Sequence, residues 1–303
     1  MAKTNNLVYK YLRQLLKMKK IKIVFYFMLI LNLMSACDST PKIQEERINN
    51  QQNKELGKET PNELLKQAYQ LFKEGKDNES IRLANEVLEI GRNTKNDTLI
   101  GKALTSLCRN SQRKLDTIRL AELSTELSEL ATSSGNKKWL MYMAHMNAEM
   151  WRLIGNMNKA EEFYNQSMEI SFETGSMGMY TIDHFNKSFV CISKGDFETA
   201  NQLIKKYYQL RKENDPEDED AYGLIAIAYL LEQQGNFISA YEVTQVTRRL
   251  FKEQNIFPEP PDEKPLIMVE AKVKKMLDQL TLDEISGKST SESVASLLEK
   301  YLN

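Results

Sequence analysis

Few residues in the 303-residue chain have the types and spacing that catalysis or metal binding needs. The histidines are His145 and His184, and the cysteines are Cys37, Cys108 and Cys191. Zinc sites usually place His and Cys ligands at short fixed spacings, and the sequence contains neither HExxH nor CxxC. It also contains no glycine-rich phosphate loop and no G-x-S-x-G nucleophile motif. We therefore expect no catalytic residues, no metal and no cofactor, so the chain is predicted not to be an enzyme.

One acidic segment could suit a cation. Residues 215–220 read DPEDED, but they lack the glycine and the distal glutamate of an EF-hand loop. Negative charge is favoured at the amino end of a helix, where the helix dipole is positive. We predict that this segment precedes a helix starting near Ala221.

The remaining cysteine, Cys37, follows a basic and then an apolar segment. Six positive charges lie between Lys10 and Lys22, and an apolar stretch of about 12 residues begins at Ile23. This stretch is shorter than the roughly 20 residues of a membrane-spanning helix and matches the hydrophobic region of a secretory signal. The chain is then exported, and Met18 is an alternative start of translation.

The residues before Cys37, Leu33-Met34-Ser35-Ala36, resemble the lipobox of bacterial lipoproteins. The resemblance implies a signal peptide over residues 1–36 and lipidation of Cys37, with palmitate as one expected acyl group. It places the protein at the bacterial cell membrane or outer membrane, with its folded domain periplasmic or surface-exposed. An uncleaved anchor or an ordinary secretory signal is the alternative.

Residues 38–60 contain almost no apolar side chains and are predicted to be a disordered tether between Cys37 and the folded domain. Without residues 1–36 the chain has 34 basic and 42 acidic residues, a net charge of −8. An acidic protein repels phosphate backbones, and the sequence shows no local basic stripe. We therefore expect no nucleic-acid partner.

Helix formers dominate the remainder, and 12 glycines and 7 prolines are few for a chain of this length, so few residues would interrupt helices. One six-residue phrase begins at Gly75, Gly155, Gly195 and Gly235, and a degenerate copy without glycine begins at Asp116. Each phrase predicts a left-handed turn between two helices, followed by a small residue that lets the helices pack closely. One hairpin cannot bury its own apolar face, so about five hairpins of 40 residues are predicted to stack as a solenoid.

The phrases at residues 195–200 (GDFETA) and 235–240 (GNFISA) resemble the helix junction of tetratricopeptide repeats, and the resemblance covers residues 61–255. It implies an all-α, right-handed superhelical solenoid. The units depart from the family in having 40 rather than 34 residues and in lacking most of its Trp and Tyr signature. Cys108 and Cys191 lie two units apart, so we expect both to be buried thiols without a disulfide.

The segment from Phe257 to Pro265 contains four prolines and is predicted to interrupt the helical pattern. Apolar residues at helical spacing over 266–280, and a capping-box pattern at 289–292 before an apolar stretch, predict two further helices. Residues 256–303 are therefore expected to form a bend and a pair of helices that caps the solenoid.

In the family that the repeats resemble, the first helix of each hairpin lines the concave face. Projecting one stripe of each first helix gives a candidate partner-binding groove: Tyr69, Phe72, Arg113, Tyr142, His145, Arg152, Phe185, Phe189, Tyr222 and Tyr229. Such a groove suits an extended peptide or an amphipathic helix, with Arg113 or Arg152 binding a carboxylate. For any single aromatic residue, burial in the core is the competing interpretation.

These features predict a membrane-anchored, non-catalytic adaptor that binds a protein or peptide partner in the cell envelope, in assembly or signalling. One alternative is an envelope lipoprotein that binds a glycan or small molecule, although Trp139 and Trp151 are the only tryptophans available for sugar stacking. A second alternative is the detached sensory module of a repeat-containing regulator.

Overall fold

The computed structural model describes residues 59–214, 220–256, 258–288 and 292–302, without the side chain of Lys288. The predicted signal peptide, the lipidated Cys37 and the tether up to residue 58 lie outside these ranges. Among the described helices, none combines the length and the apolar character that crossing a bilayer requires.

The described residues form thirteen α-helices and no strand. Ten of them make five hairpins: α1 (Pro61–Lys73) and α2 (Asp77–Asn93); α3 (Asp97–Arg113) and α4 (Thr117–Ser134); α5 (Lys137–Ile154) and α6 (Met157–Glu173); α7 (Met177–Lys194) and α8 (Phe197–Asn214); α9 (Gly223–Gln233) and α10 (Phe237–Glu253). The other three are α11 (Pro260–Met276), α12 (Gln279–Lys288) and α13 (Val294–Leu302). Helix α9 thus begins two residues later than predicted from the acidic segment.

The hairpins stack through both of their helices. Each helix from α1 to α10 packs against the next, and the first helices also pack on one another in the order α1, α3, α5, α7 and α9. Because every unit contacts its neighbours along the chain, the hairpins bury their apolar faces against one another. One large core cluster lies in hairpins one to three and another in hairpins four and five. The predicted all-helical solenoid of five hairpins is therefore confirmed.

A left-handed residue recurs every 20 residues along the described chain. Positive φ angles occur in the turns within hairpins and in the turns between them, at Gly75, Lys95, Leu115, Gly135, Gly155, Gly175, Gly195, Gly235 and Asn255. The following Asn or Asp often caps the next helix, as Asn96 does by accepting a hydrogen bond from the backbone N–H of Leu99 at 3.1 Å. The 40-residue unit is therefore two 20-residue helix-and-turn units.

The degenerate second phrase lies one residue earlier than predicted. Leu115, with φ of 56°, occupies the position of the phrase glycine, and Asp116 is the N-cap of α4. The close-packing position is accordingly Leu120, which is fully buried, and not Ala121. With this correction the second helices begin at residues 77, 117, 157, 197 and 237, a constant step of 40.

The carboxyl-terminal part differs from the predicted pair of helices. Pro260 and Pro261 start α11, since the first turn of a helix needs no backbone N–H donors there. Pro265 is accommodated inside α11 and does not interrupt it. The expected helix over 266–280 ends at Met276, and α12 begins at Gln279, so three described helices follow the hairpins. Residues 289–291 of the predicted capping box lie outside the described ranges.

Candidate functional site

A cavity of about 470 Å³ lies along the first helices of the first three hairpins. Residues of α1, α3 and α5, with Asn136 just before α5, line it. Four of the lining residues are aromatic and four are cationic, and the set contains no Asp or Glu: Asn62, Leu65, Lys66, Tyr69, Phe72, Thr98, Lys102, Thr105, Ser106, Arg109, Asn136, Lys138, Trp139 and Tyr142. We call this space the first-helix cavity. It combines apolar surface with positive charge.

The guanidinium of Arg109 lies between two tyrosine rings of the first-helix cavity. Its central carbon is 5.7 Å from the ring centre of Tyr69 and 6.0 Å from that of Tyr142, on the two neighbouring first helices. Tyr69 is 48% exposed, whereas Tyr142 and Arg109 are half-buried. The cation–π contacts hold Arg109 in place while leaving its donors available to a ligand.

Close packing of α3 on α5 sets the wall of the cavity. A Cβ atom on Gly101 would lie 2.5 Å from Cε2 of the Trp139 indole, so glycine is required for the indole to lie against α3. Trp139 is buried in this contact and presents only part of its ring to the cavity.

Arg113, one helical turn beyond Arg109, binds a carboxylate of the chain itself. Its Nη2 donates to Oε1 of Glu259 at 3.0 Å and its Nη1 donates to Oδ1 of Asp77 at 3.1 Å. The guanidinium lies 3.5 Å from the ring centre of Phe72 and also donates to the Phe72 carbonyl. The segment just before α11 therefore reaches the first-helix layer at the end of the cavity where Phe72 lies.

A buried polar cluster follows on α5. Glu149 is fully buried and accepts hydrogen bonds from Nη2 of Arg152 and Nε2 of Gln112, both at 2.7 Å, and from the hydroxyl of Tyr164. Burial alone would raise the pKa of Glu149, but Arg152 and His145 hold it below its usual value. Glu149 is therefore an ionised group that holds α3, α5 and α6 together.

The two histidines are both buried. Nδ1 of His145 lies 2.7 Å from Oδ1 of Asp183 on α7, and Nδ1 of His184 lies 2.7 Å from the carbonyl of Tyr180. Burial opposes protonation of His145, yet Asp183 raises its pKa above the usual value. Burial lowers the pKa of His184. The described residues contain no group of three or more His, Cys, Asp or Glu side chains that could hold a metal ion.

Asp262, in the first turn of α11, lies close to the buried polar cluster around Glu149. Burial, Glu149 and Glu259 raise the pKa of Asp262 to about 7, although Arg152 and His145 act in the opposite direction. Tyr222, the residue just before α9, also makes a hydrogen bond with the backbone of Glu259. Residues 259–262 are thus held by groups from the second, third and fifth hairpins.

The ten predicted groove residues divide into three groups. Tyr69, Phe72 and Tyr142 line the first-helix cavity, while Arg113, His145 and Arg152 are engaged with carboxylates of the chain. Phe185 and Phe189 are 6% and 3% exposed and pack in the core, and Tyr222 and Tyr229 are half-buried against it. The structure therefore does not bring the predicted residues together in one open groove.

The sequence interpretation missed the cations of the cavity, and its expectation of no basic stripe was wrong. Lys66, Lys102 and Lys138 lie on three different helices at intervals of 36 residues, so the chain places them far apart while the solenoid aligns them. Basic residues at equal intervals on successive first helices were the available signal.

Cys108 and Cys191 are both free and buried, as predicted. Burial raises the pKa of the Cys108 thiol to about 12 and that of Cys191 to about 11. Neither thiol is therefore present as the reactive thiolate at neutral pH.

The sequence matches no protein-family model and no curated protein. Among solved structures, the chain is similar to the apo form of RapI, with a TM-score of 0.51 and 18% identity over 77% of this chain and 92% of that one. It is also similar to TTC0263, a thermophilic TPR protein of Thermus thermophilus, with a TM-score of 0.48 and 15% identity over 72% of this chain and all of that one. The likeness to RapI supports the helical-repeat fold described above.

Proposed function

We propose that the protein is a lipid-anchored, non-catalytic adaptor that binds a protein or peptide segment along its first helices, in the envelope of a bacterium. The observation that carries the proposal is the first-helix cavity, which is open, about 470 Å³ in volume and lined by four aromatic residues. The helical-repeat fold supports it, because stacked hairpins present an extended surface to a partner.

The aromatic side chains of the first-helix cavity favour a macromolecular partner over a sugar. Tyr69 and Tyr142 combine apolar rings with polar ends, and such rigid aromatic side chains commonly supply most of the binding energy at protein interfaces. The ring of Trp139 lies against Gly101 and is only 7% exposed, so little of it is available for a sugar to stack on. Glycan binding is therefore the weaker alternative.

Membrane attachment rests on the lipobox-like residues before Cys37. Three acyl chains on a mature amino terminus would hold the domain stably, because a single chain gives only marginal binding. The segment up to residue 58 would then be the tether between the lipid and α1. A partner would be a protein of the same envelope compartment.

Two experiments test the two parts of the proposal. Site-specific photo-crosslinking in the native envelope tests the adaptor, and labelling with palmitate tests the lipid anchor. A photoreactive residue at position 69 is expected to give a protein adduct, whereas one at exposed Ile118 on the second helix α4 is the matched control and should give none. Cys37→Ala is expected to abolish incorporation of labelled palmitate and to release the chain from the membrane. Adducts at both positions alike, or at neither, would overturn the adaptor; continued palmitate labelling of the alanine variant would overturn the anchor.

A further inference from the structure

We infer that the first-helix cavity binds an acidic segment of the partner in an extended conformation. This inference rests on the proposed function and names the class of peptide that the site recognises. It is carried by the charges of the cavity, by the spacing of its cations and by an acidic segment that the molecule already holds beside it.

The cations of the cavity have no carboxylate partner among the described residues. Lys102 donates only to the amide oxygen of Asn62, at 2.9 Å, and Lys66, Arg109 and Lys138 make no ion pair there. Adjacent Lys137, outside the cavity, instead pairs with Glu173 at 3.0 Å. In a chain that is acidic beyond residue 36, this is an uncompensated positive surface, and it attracts negatively charged ligands.

Glu259 shows the kind of residue that binds beside the first-helix cavity. It lies between Pro258 and Pro260 in an extended conformation, with φ of −69° and ψ of 150°. Its carboxylate is bound by Arg113, whose guanidinium lies on Phe72, and Phe72 also lines the cavity. The cavity thus continues directly into a site that already binds an extended acidic residue.

Arg109 repeats the arrangement of Arg113 one helical turn away. The guanidinium of Arg113 lies 3.5 Å from an aromatic ring centre, and that of Arg109 lies 5.7 and 6.0 Å from two such centres. Arg113 has a carboxylate where Arg109 has none. An arginine held between aromatic rings loses less side-chain freedom when its planar donors bind a carboxylate. We assign Arg109 as the central carboxylate-binding residue of the cavity.

The lysines set the length of the segment. Lys66, Lys102 and Lys138 lie on α1, α3 and α5, and neighbouring helix axes are about 8–10 Å apart. Three helices therefore spread the charges over roughly 20 Å, which an extended chain covers with about six residues at about 3.3 Å each. A peptide with carboxylates at intervals matches this spread, whereas a single small anion reaches one cation at a time.

The inference is tested with the full chain in detergent and two fluorescein-labelled ten-residue peptides. One carries Glu at alternate positions, and the other carries Gln at the same positions. The Glu peptide is expected to bind roughly tenfold or more tightly than the Gln peptide, and its affinity should fall as salt is added. Equal binding of the two peptides, or no binding of either, would overturn the inference.

Variants locate the binding. Arg109→Gln and the double change Lys66→Gln/Lys138→Gln are each expected to weaken binding of the Glu peptide about tenfold. Lys205→Gln, an exposed lysine of the second helix α8, is the matched control and should change nothing. Both lysines of the double change are exposed, so this variant tests the site even if Arg109→Gln does not fold. A loss with Lys205→Gln as large as that with the cavity variants would refute the site.

Competition by other anions tests whether the cavity binds an acidic peptide or any anion. Inorganic phosphate and vesicles with anionic lipids are expected not to displace the Glu peptide at the concentrations at which the unlabelled peptide does. Displacement by either, with the same dependence on Arg109, would show a general anion site and overturn the peptide assignment. A protein adduct at position 69 without binding of the Glu peptide would leave the adaptor standing and remove only its acidic specificity.

Discussion

At the scale of single residues, the molecule places charged groups in its interior and pairs several of them with hydrogen-bonding partners. Glu149 is buried with three donors, and His145 is buried against Asp183. Removing one member of such a group leaves another buried and uncompensated, which typically costs about 3–5 kcal/mol. These residues therefore hold neighbouring hairpins together and are engaged in the fold, even where the repeat pattern places them in a binding stripe.

Asp262 predicts a pH dependence of stability. In the folded chain its pKa is about 7, against 3.8 for an ordinary aspartate, so the folded state binds more protons than the unfolded state between these values. This group therefore stabilises the fold less as the pH rises through that range. Asp262→Asn cannot ionise, and it is expected to gain stability over the wild type between pH 4 and 7, by at most about 4 kcal/mol.

Urea unfolding at several pH values measures this difference. The exposed carboxylate of Asp283 provides the control, as Asp283→Asn should give a difference from the wild type that changes little with pH. A constant difference for Asp262→Asn as well would show that Asp262 is not protonated in the folded chain at pH 5–6.

At the scale of elements, the left-handed turn that recurs every 20 residues ends one helix and positions the next. Glycine fills most of these positions, but Leu115 has φ of 56°, where a side chain is strained, and it is 42% exposed. The corresponding turn of the third hairpin uses Gly155, with φ of 88°. The second hairpin thus keeps the geometry of the others at a cost in backbone strain.

Leu115→Gly is therefore expected to stabilise the protein. Relief of left-handed strain is worth about 1–2 kcal/mol, and the extra freedom of glycine in the unfolded chain offsets part of it, leaving roughly 0.5–1 kcal/mol. Gly155→Leu is the reciprocal control: a Cβ there meets no atom within 4 Å, so it should lose stability through the backbone alone. Thermal unfolding is the measurement, and a shift of both variants in the same direction would contradict the interpretation.

At the scale of the described domain, the last three helices close the core. Leu266, Val269 and Val273 of α11 are fully buried, and α11 packs on α9 and α10. Apolar residues of α12 and α13 belong to the same core cluster as hairpins four and five. A stack of hairpins needs such a cap, because its last unit otherwise exposes an apolar face to water.

A chain that ends at residue 256 is predicted to lose cooperative unfolding and to bind hydrophobic dyes, since the face of α9 and α10 becomes exposed. A chain that ends at residue 291 keeps α11 and α12 and should retain a cooperative transition at a lower temperature. Calorimetry of both chains provides the test. An unchanged melting temperature after removal of residues 257–303 would show that these helices do not cap the core.

The local features of the fold were predictable from the sequence. Helix-forming composition, the 40-residue period and the glycine turns depend on residues that are neighbours in the chain, so they predicted five hairpins and the buried thiols. The missing glycine at position 115 displaced the second phrase by one residue, because a leucine in a left-handed turn carries no signal in the sequence. The prolines at residues 258–265 likewise did not reveal that α11 begins at Pro260.

The tertiary structure alone decided which side chains remain available to a partner. Tyr69 and Phe189 each lie six residues before the left-handed glycine of their hairpin, yet Tyr69 is exposed and Phe189 is in the core. Arg113 meets Glu259, which is 146 residues away, and lysines 36 residues apart come to line one cavity. Helix caps and helical periods follow from interactions within about one turn of helix. The exposure of a side chain and its pairing with a charge depend on how successive hairpins rotate against each other, and residues throughout the chain contribute to that rotation.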